Sequence, residues 1–524
     1  MCGIIGFVNK KNVSIKDIFQ NSYPSIIDRG IVFDSVNFRN EAYGFSRLPT
    51  DALENTDLHT LQKINEGYFL FNGLITNVPD LRNLFELPNS SSESDTLSLG
   101  YGYSIYGRKF LSHCRGMFAF AYVTKNTIIL ARDTIGIKPL YYINSEKIFG
   151  FCSEIKGLGI YEGNIEEVLP GELIIYNKKT KKVTKEKFVY KTYKNYTKED
   201  LQDCLVESII LPTTRYLQQT KDKRIGILLS GGIDSSLIFQ IIRMHLSKDL
   251  QKRIVYFTLG TNYSSDKIFV KKLIKKANID HVEVMPYSSK NSLLKLPELI
   301  YKVESSLSRV IKVSLLQDAL AKKMQDMGLH VVISGEGADE LFYGYERFIN
   351  GLNLNQVKEM YTYFFSKVFY YTLLQRYERT FARRQIEGRV PFLDQELILV
   401  SKKISPEEKI GHFEGQLLSK LPLRIIGKLL GLHKEIYLRK KEKMTVGATK
   451  YQNTLMNNGY LEKYVQNAKG VTCEQFINDH YNTYFKNNKA TFKSHYLGTE
   501  ESAMEKVNLY RELNLKKRKK VFVL

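Results

Sequence analysis

The alternation of apolar and polar positions changes character once along the chain. Up to about Tyr190, short stretches of aromatic and β-branched residues at 67–71, 117–123, 127–131 and 173–176 lie between turn residues and read as β-strands. Residues 177–200 are polar and lysine-rich and read as a closing hairpin and linker. Beyond them the period lengthens, and 201–217 has helical spacing broken only at Pro212. An apolar run from Ile225 then leads through glycines and hydroxyls into a helical pattern from Leu237. Strand 254–259, helix 266–278, strand 281–285, helix 314–327 and strand 330–333 follow. Such alternation predicts a parallel sheet covered on both faces, with ligands beyond the carboxyl ends of its strands. From Glu346 onward the chain reads as mostly helical, and residues 471–524 carry no motif. Their aromatic stretch, 480–485, reads as core or helix packing.

A chain of 524 residues without internal repeats is too long for one core, and a hydrophobic content of 43% supplies two. The change of period places the boundary between 1–190 and 191–524. No apolar run approaches the roughly 20 residues that span a bilayer, and MCGIIGFVNKKN lacks the basic and long apolar regions of a leader. The expectation is a cytoplasmic protein without a membrane segment. The five cysteines form no CxxC pair and no metal-ligand cluster; Cys114, Cys152, Cys204 and Cys473 read as buried small hydrophobes. The net charge of +22 would suit an anionic partner, but its positive residues are dispersed. Only KKRKK, residues 516–520, is dense, and without interleaved aromatics it reads as a solvated tail, so nucleic acid is not expected as a partner.

Three stretches carry chemistry. In IGILLSGGIDSS, residues 225–236, close-set backbone N–H groups and serine hydroxyls precede a helix, where the peptide dipoles favour a phosphate. No Lys follows the glycines and no third glycine is present, which excludes the Walker loop and the dinucleotide fingerprint. SGEGADELFYGY, residues 334–345, also follows a strand directly and so falls on the same sheet edge. At the amino end, removal of Met1 would place a thiol and an α-amine of pKa roughly 8 on Cys2, a nucleophile and a base on one residue.

Ser230, Gly231, Gly232, Asp234, Ser235 and Ser236 resemble the PP-loop of enzymes that cleave ATP to AMP and pyrophosphate. Cys2, Arg47 in FSRL, Asn72 and Gly73 in YFLFNGLITN and Asp95 in SESDT resemble the glutamine-hydrolysing domain of class II amidotransferases. ARDTIGIKPLYY, 131–142, and SEIKGL, 153–158, extend that match, although Gly-Ile-Lys-Pro also suits a hairpin turn. SGEGADE, EGRVPFLD (387–394) and LRKKEK (438–443) resemble signatures of glutamine-hydrolysing asparagine synthetases, and the resemblance covers roughly 2–449.

The resemblance implies an α+β N-terminal-nucleophile hydrolase sandwich (αββα) followed by an α/β doubly wound parallel-sheet PP-loop domain with a helical C-terminal part. It implies that Cys2 attacks the glutamine amide, that Asn72 and Gly73 form the oxyanion hole, and that Arg47 and Asp95 hold the glutamine carboxylate and α-amine. ATP would bind at Leu228, Ser230, Gly231, Gly232, Asp234, Ser235, Ser236, Leu259, Ser334, Gly335 and Lys312, with Mg2+ on Asp234 and Asp339. Glu336 would act as base or charge stabiliser and Lys441 would neutralise the phosphate. Aspartate is the implied acceptor, glutamine the donor, and a homodimer is admitted.

Four departures stand out. Leu74 occupies the place of an acidic residue in NGEIYN, and Arg29, Gly30, Ile31 and Val32 replace the RGPD lid. Lys312 stands where aspartate users commonly carry Arg, which loses a planar two-pronged donor. Thr445, Val446 and Gly447 replace SDGVG. The alternatives are therefore the same chemistry on another carboxylate (a peptide, sugar acid or secondary metabolite), a nucleic-acid-modifying PP-loop protein, and a silent regulator.

Overall fold

The computed structural model describes residues 2–50, 61–88, 94–159, 161, 163–261, 264–275, 277–346, 349–442, 460–485, 490–492, 504–508 and 510–511. The first half forms strands Gly3–Asn9 (β1), Val32–Asn37 (β2), Glu41–Arg47 (β3), Gln62–Ile64 (β4), Gly67–Ile75 (β5) and Gly116–Val123 (β6). Thr127–Arg132 (β7), Tyr141–Asn144 (β8), Ile148–Cys152 (β9), Gly163–Glu167 (β10), Glu172–Asn177 (β11) and Val183–Lys187 (β12) complete the set. They assemble into two sheets, β2-β3-β1-β9-β8-β10 and β12-β11-β7-β6-β5-β4, antiparallel throughout. Alternate residues of both sheets meet in one core, where Phe149 stacks on Tyr176 at 4.1 Å between ring centroids. Helix Ile15–Ser22 covers the outer face of the first sheet, and helices Val78–Leu84 and Asp95–Tyr106 that of the second. The result is the αββα sandwich.

The second half is built on Ile225–Leu228 (β13), Ile254–Leu259 (β14), Asp280–Val284 (β15), Val331–Ile333 (β16) and Glu387–Arg389 (β17), all parallel in the order β15-β14-β13-β16-β17. Its two faces pack against separate sets of helices. The strand order reverses between β13 and β16, and at such a switch point a crevice opens beyond the strand ends. The segments after these two strands are SGGIDSS and SGEGADE.

Three sequence expectations change. Pro212 does not break its helix, which runs from Leu201 to Gln219. One missing N–H is outweighed there by a buried stripe of Leu205, Ile209 and Leu217, and the Thr213 hydroxyl donates to the Ile209 carbonyl at 2.5 Å. The helix expected from 314 begins at Ser308, because Val310 and Ile311 are buried against the later helices Tyr460–Lys469 and Cys473–Phe485. Glu-Gly-Arg of EGRVPFLD becomes β17, although nothing in its polar pattern signals a strand; Arg389 Nε pairs with Glu387 at 2.8 Å.

The segment without motifs, 471–524, is in part architectural: Cys473–Phe485 packs on helix Ser289–Val303, and Ala490–Phe492 adds a parallel strand beside β10. Tyr301 against Tyr484 at 5.1 Å shows the aromatic stretch serving as packing. Cys114, Cys152, Cys204 and Cys473 are buried free thiols. Among the described residues no helix is long and apolar enough to cross a membrane.

Candidate active sites

β1 carries Cys2 to the edge of a pocket that Arg47, Gly73, Leu74 and Asp95 also line. The Cys2 backbone N–H donates to Asn72 Oδ1 at 3.1 Å. Asn72 is fully buried, yet its Nδ2 has no acceptor, an uncommon cost that a developing oxyanion would relieve. Gly73 cannot be replaced without a clash, since a Cβ there would lie 2.3 Å from the Met117 carbonyl oxygen. Asp95 opens helix Asp95–Tyr106, which Ser94 caps, and accepts from the Ile75 N–H at 3.2 Å. Arg47 ends β3, and the Ile31 N–H donates to its carbonyl at 2.9 Å.

The RGIV segment, where the sequence departs from the RGPD lid, is tied into the structure by Arg29. Arg29 Nε donates to the Cys2 carbonyl at 2.8 Å, while its other nitrogens pair with Glu154 and Glu378. Burial disfavours that charge, but the two carboxylates outweigh it and hold Arg29 charged more firmly than in water. GIKP is not a bare hairpin turn: Asp133 accepts from the N–H groups of Ile135, Gly136, Ile137 and Lys138, so the whole loop folds around one carboxylate. SEIKGL ties down β1 and docks the halves together. Ser153 Oγ accepts from the Ile4 N–H at 3.0 Å, and Glu304 accepts from the Ile155 and Lys156 N–H groups at 3.0 and 2.8 Å.

On the second sheet a cavity of about 1200 Å³ opens beyond β13 and β16, lined by Leu228, Ser230, Gly232, Asp234, Ser235, Leu259, Ser334, Gly335, Glu336, Asp339, Lys312 and Lys441. Gly231 takes φ +68°, and a Cβ would strike Phe269 at 2.7 Å; Ser236 is buried one turn below, its hydroxyl unpartnered. Ser235 Oγ accepts from the Ser230 N–H at 3.1 Å and closes the loop. A Cβ on Gly335 would lie 2.8 Å from Asp234 Cβ, so the glycine lets the two signatures meet.

Charge is concentrated at that meeting. Lys420 Nζ lies 2.6 Å from Asp234 Oδ2 and 2.5 Å from Asp339 Oδ1, and Lys441 Nζ lies 2.7 Å from Asp339 Oδ2. Burial alone would raise the Asp339 pKa, but the two ammoniums hold it well below the usual carboxylate range. Burial likewise disfavours the Lys441 charge, and Asp339 then Asp234 outweigh it and raise its pKa above that of a free lysine. Neighbouring Glu340 goes the other way: burial, then the charge of Asp339, push it up to about 8, and the Tyr345 hydroxyl donates to it at 2.5 Å. Glu336 accepts from Arg376 at 3.0 Å and from Gln317 at 3.3 Å.

Asp234 Oδ1 is buried without a donor, and Asp234 and Asp339 supply the hard oxygen ligands that Mg2+ prefers, so the residues fit that ion. Among the described residues no group of three or more His, Cys, Asp or Glu side chains could enclose a metal without other ligands, which leaves phosphate oxygens and water to complete the sphere. Sequence reasoning missed Lys420, Arg376, Gln317 and Arg439. Arg439 donates to the Ser230 carbonyl at 2.8 Å and to Asp266 at 2.7 Å. Its place in LRKKEK was a signal; a lone Lys420 in SKLPLR was none. Lys312 pairs with Glu462 of helix Tyr460–Lys469 within the same cavity. Thr445, Val446 and Gly447 lie outside the described residues.

Comparison with known proteins matches residues 1–200 to a glutamine amidotransferase domain and residues 216–362 and 354–495 to asparagine synthase. A putative glutamine-hydrolysing asparagine synthetase of Methanocaldococcus jannaschii is 26% identical over 472 residues, covering 79% of this chain and 83% of that protein. The glutamine-hydrolysing asparagine synthetase of Cricetulus griseus is 27% identical, covering 84% of each. The second such enzyme of Oryza sativa subsp. japonica is 30% identical, covering 65% of this chain and 58% of its own.

Proposed function

This chain belongs to the glutamine-hydrolysing asparagine synthetase family, and from that premise we propose that it is a carbon–nitrogen ligase that adenylates aspartate with ATP and amidates it with ammonia taken from glutamine. We place the division of labour at residues 190 and 191, between β12 ending at Lys187 and the helix beginning at Leu201. Its ATP chemistry and five free cysteines suit a cytoplasmic setting.

With Met1 removed, the Cys2 nitrogen now 3.1 Å from Asn72 Oδ1 becomes an α-amine able to take the thiol proton. The thiolate attacks the amide carbon of glutamine. Asn72 Nδ2 and the Gly73 N–H hold the oxyanion. The protonated α-amine returns its proton to the departing nitrogen, and ammonia leaves as the thioester forms. Water then hydrolyses the thioester to glutamate and restores the thiol. Arg47 and Asp95 orient the substrate by its carboxylate and amine.

In the second site the acceptor carboxylate attacks the α-phosphorus of ATP and pyrophosphate departs. Residues 230–236 hold the departing phosphates by backbone N–H and hydroxyl donors. Lys420 and Lys441 offset the charge that builds on the phosphoryl oxygens. Bound Mg2+, held by Asp234 and Asp339, would neutralise the leaving pyrophosphate. Ammonia then attacks the acyl carbon, AMP leaves, and Glu336 takes the surplus proton, with Arg376 and Gln317 fixing its orientation.

One observation carries the reading. Leu74 lines the glutamine pocket and also a second cavity, mainly apolar, with Met117, Ile137, Ile209, Ile333, Val390 and Leu393. Leu393 in turn packs against Gly337, where a Cβ would lie 2.5 Å from it. Two small spaces that share Leu74 as a wall thus lead from beside Gly73 toward Leu393, which backs SGEGADE, the direction a route for neutral ammonia would take. The direct test supplies amide-labelled glutamine, ATP and aspartate, and follows AMP, pyrophosphate and label in the product. Labelled asparagine with one AMP per amide is the expected result; no AMP with any acceptor would overturn the proposal. The second reading, another carboxylate, draws support from Lys312, whose ammonium is already held by Glu462. Pyrophosphate release across a panel of carboxylates decides between the two.

A further inference from the structure

Between the two centres lies helix Gln375–Ala382, preceded by π-helical turns at Tyr370–Leu374. Residues 376 and 378 are two positions apart, hence roughly 200° around a helix axis, and face opposite ways. Arg376 Nη2 donates to Glu336 at 3.0 Å in the adenylation cavity. On the other side Glu378, only 3% exposed, accepts from two nitrogens of Arg29, one at 3.3 Å. Arg29 Nε then donates to the Cys2 carbonyl at 2.8 Å, a contact open only because Gly3 has no side chain: a Cβ there would lie 3.0 Å from Arg29 Cδ.

The helix cannot shift without moving this chain of contacts. Arg379 reaches Glu154 at 3.3 Å and also pairs with Glu304, and Lys156 lies 2.9 Å from Glu154, so three cations and three carboxylates interlock out of water. Just past the helix, Gln385 Nε2 donates to the Gly30 carbonyl at 3.3 Å, a second grip on the RGIV segment. Packed, buried charge networks of this kind transmit strain.

We infer that Glu378 is a positioning residue that couples the two centres, fixing the Cys2 backbone through Arg29 according to what Arg376 and Glu336 meet in the adenylation cavity. When an acyl-adenylate and ammonia draw on Glu336, Arg376 is freed or redirected, the helix shifts, and Arg29 moves the carbonyl of the nucleophile. Glutamine hydrolysis thereby answers to the state of the other site. The inference rests on the roles proposed above for Cys2 and Glu336.

The test measures glutaminase kcat and KM for glutamine on the full chain, with and without ATP and acceptor. Wild type is expected to change at least threefold in kcat or KM when both are added. Glu378→Gln, which keeps the shape and a hydrogen bond but not the charge, is expected to lose that response while ammonia-driven synthesis stays within twofold. Glu378→Asp is expected to restore at least half of it, which a merely structural role would not explain. A wild type active at both centres but without the response, or a Glu378→Gln enzyme that keeps it, would overturn the coupling alone. Absence of glutaminase or of AMP formation in the wild type would instead sink the functional reading beneath it.

Discussion

The Lys420 ammonium lies 2.6 Å from the carboxylate of Asp234, 186 residues away in sequence, inside a site where Lys420 is 1% exposed. Because the same nitrogen reaches Asp339, Lys420 joins SGGIDSS to SGEGADE within the cavity beyond β13 and β16. Gly344 makes room for it: a Cβ there would lie 2.3 Å from Lys420 Cε.

Lys420→Met should therefore abolish most ATP-to-pyrophosphate turnover. Removing one partner of a buried ion pair costs roughly 3 to 5 kcal/mol, here by taking from Asp234 the ammonium 2.6 Å away, while Asp339 keeps Lys441. A fall of at least about 100-fold is expected, with glutaminase activity retained as the sign of a folded chain. Pyrophosphate release near the wild-type rate would remove Lys420 from the mechanism.

Cys2→Ala should eliminate glutamine-driven synthesis and leave ammonia-driven synthesis working, since the two centres share no side chain. Loss of both activities in a folded variant would contradict the two-site scheme. Asn72→Ala should lower glutaminase kcat by about 100- to 1000-fold, the ordinary cost of one oxyanion donor. Its KM for glutamine should change little.

Met117→Glu places a carboxyl group in the second cavity, where it is buried among apolar side chains. It should hold ammonia as ammonium and hinder its transfer, so that glutamine consumed per amide formed rises severalfold. Synthesis from added ammonia should be unaffected. An unchanged ratio would show that ammonia does not pass Met117.

Glu340 gives a pH signature of its own. Its folded pKa of about 8 stands above the unfolded value near 4.5, because burial and then Asp339 disfavour its charge. Between those pH values the folded chain binds the extra proton, so this group's contribution to stability falls as pH rises, by at most about 1.4 kcal/mol per unit. Glu340→Gln should flatten that decline, measured as the denaturant midpoint at pH 5.5 against pH 7.5. Equal slopes in both proteins would place the Glu340 pKa elsewhere.

Much of this site could be read from contiguous residues. SGGIDSS and SGEGADE announce themselves because a phosphate loop needs glycine, hydroxyl and a helix start within a few positions, all local requirements. Strands β5, β6, β7 and β11 of the first half and β13 to β16 of the second were legible as apolar, β-branched runs, whereas the other strands of the first half were not read. EGRVPFLD was recognisable as a motif but not as β17, because a three-residue strand buried by an ion pair has no apolar rhythm. Pro212 misled for the opposite reason: its local penalty is real, but the helix around it is held by contacts far away in sequence.

What the sequence determined alone was the alternation of strands and helices in the second half and the two loops that follow its central strands. Tertiary structure decided which charges meet. Lys420 and Arg376 look like solvated surface residues in one dimension, and RGIV looks like a damaged lid. Only folding brings Arg29 to Glu378 and Lys420 to Asp234, and only burial there, where water no longer screens the charges, makes those encounters strong enough to govern the chemistry.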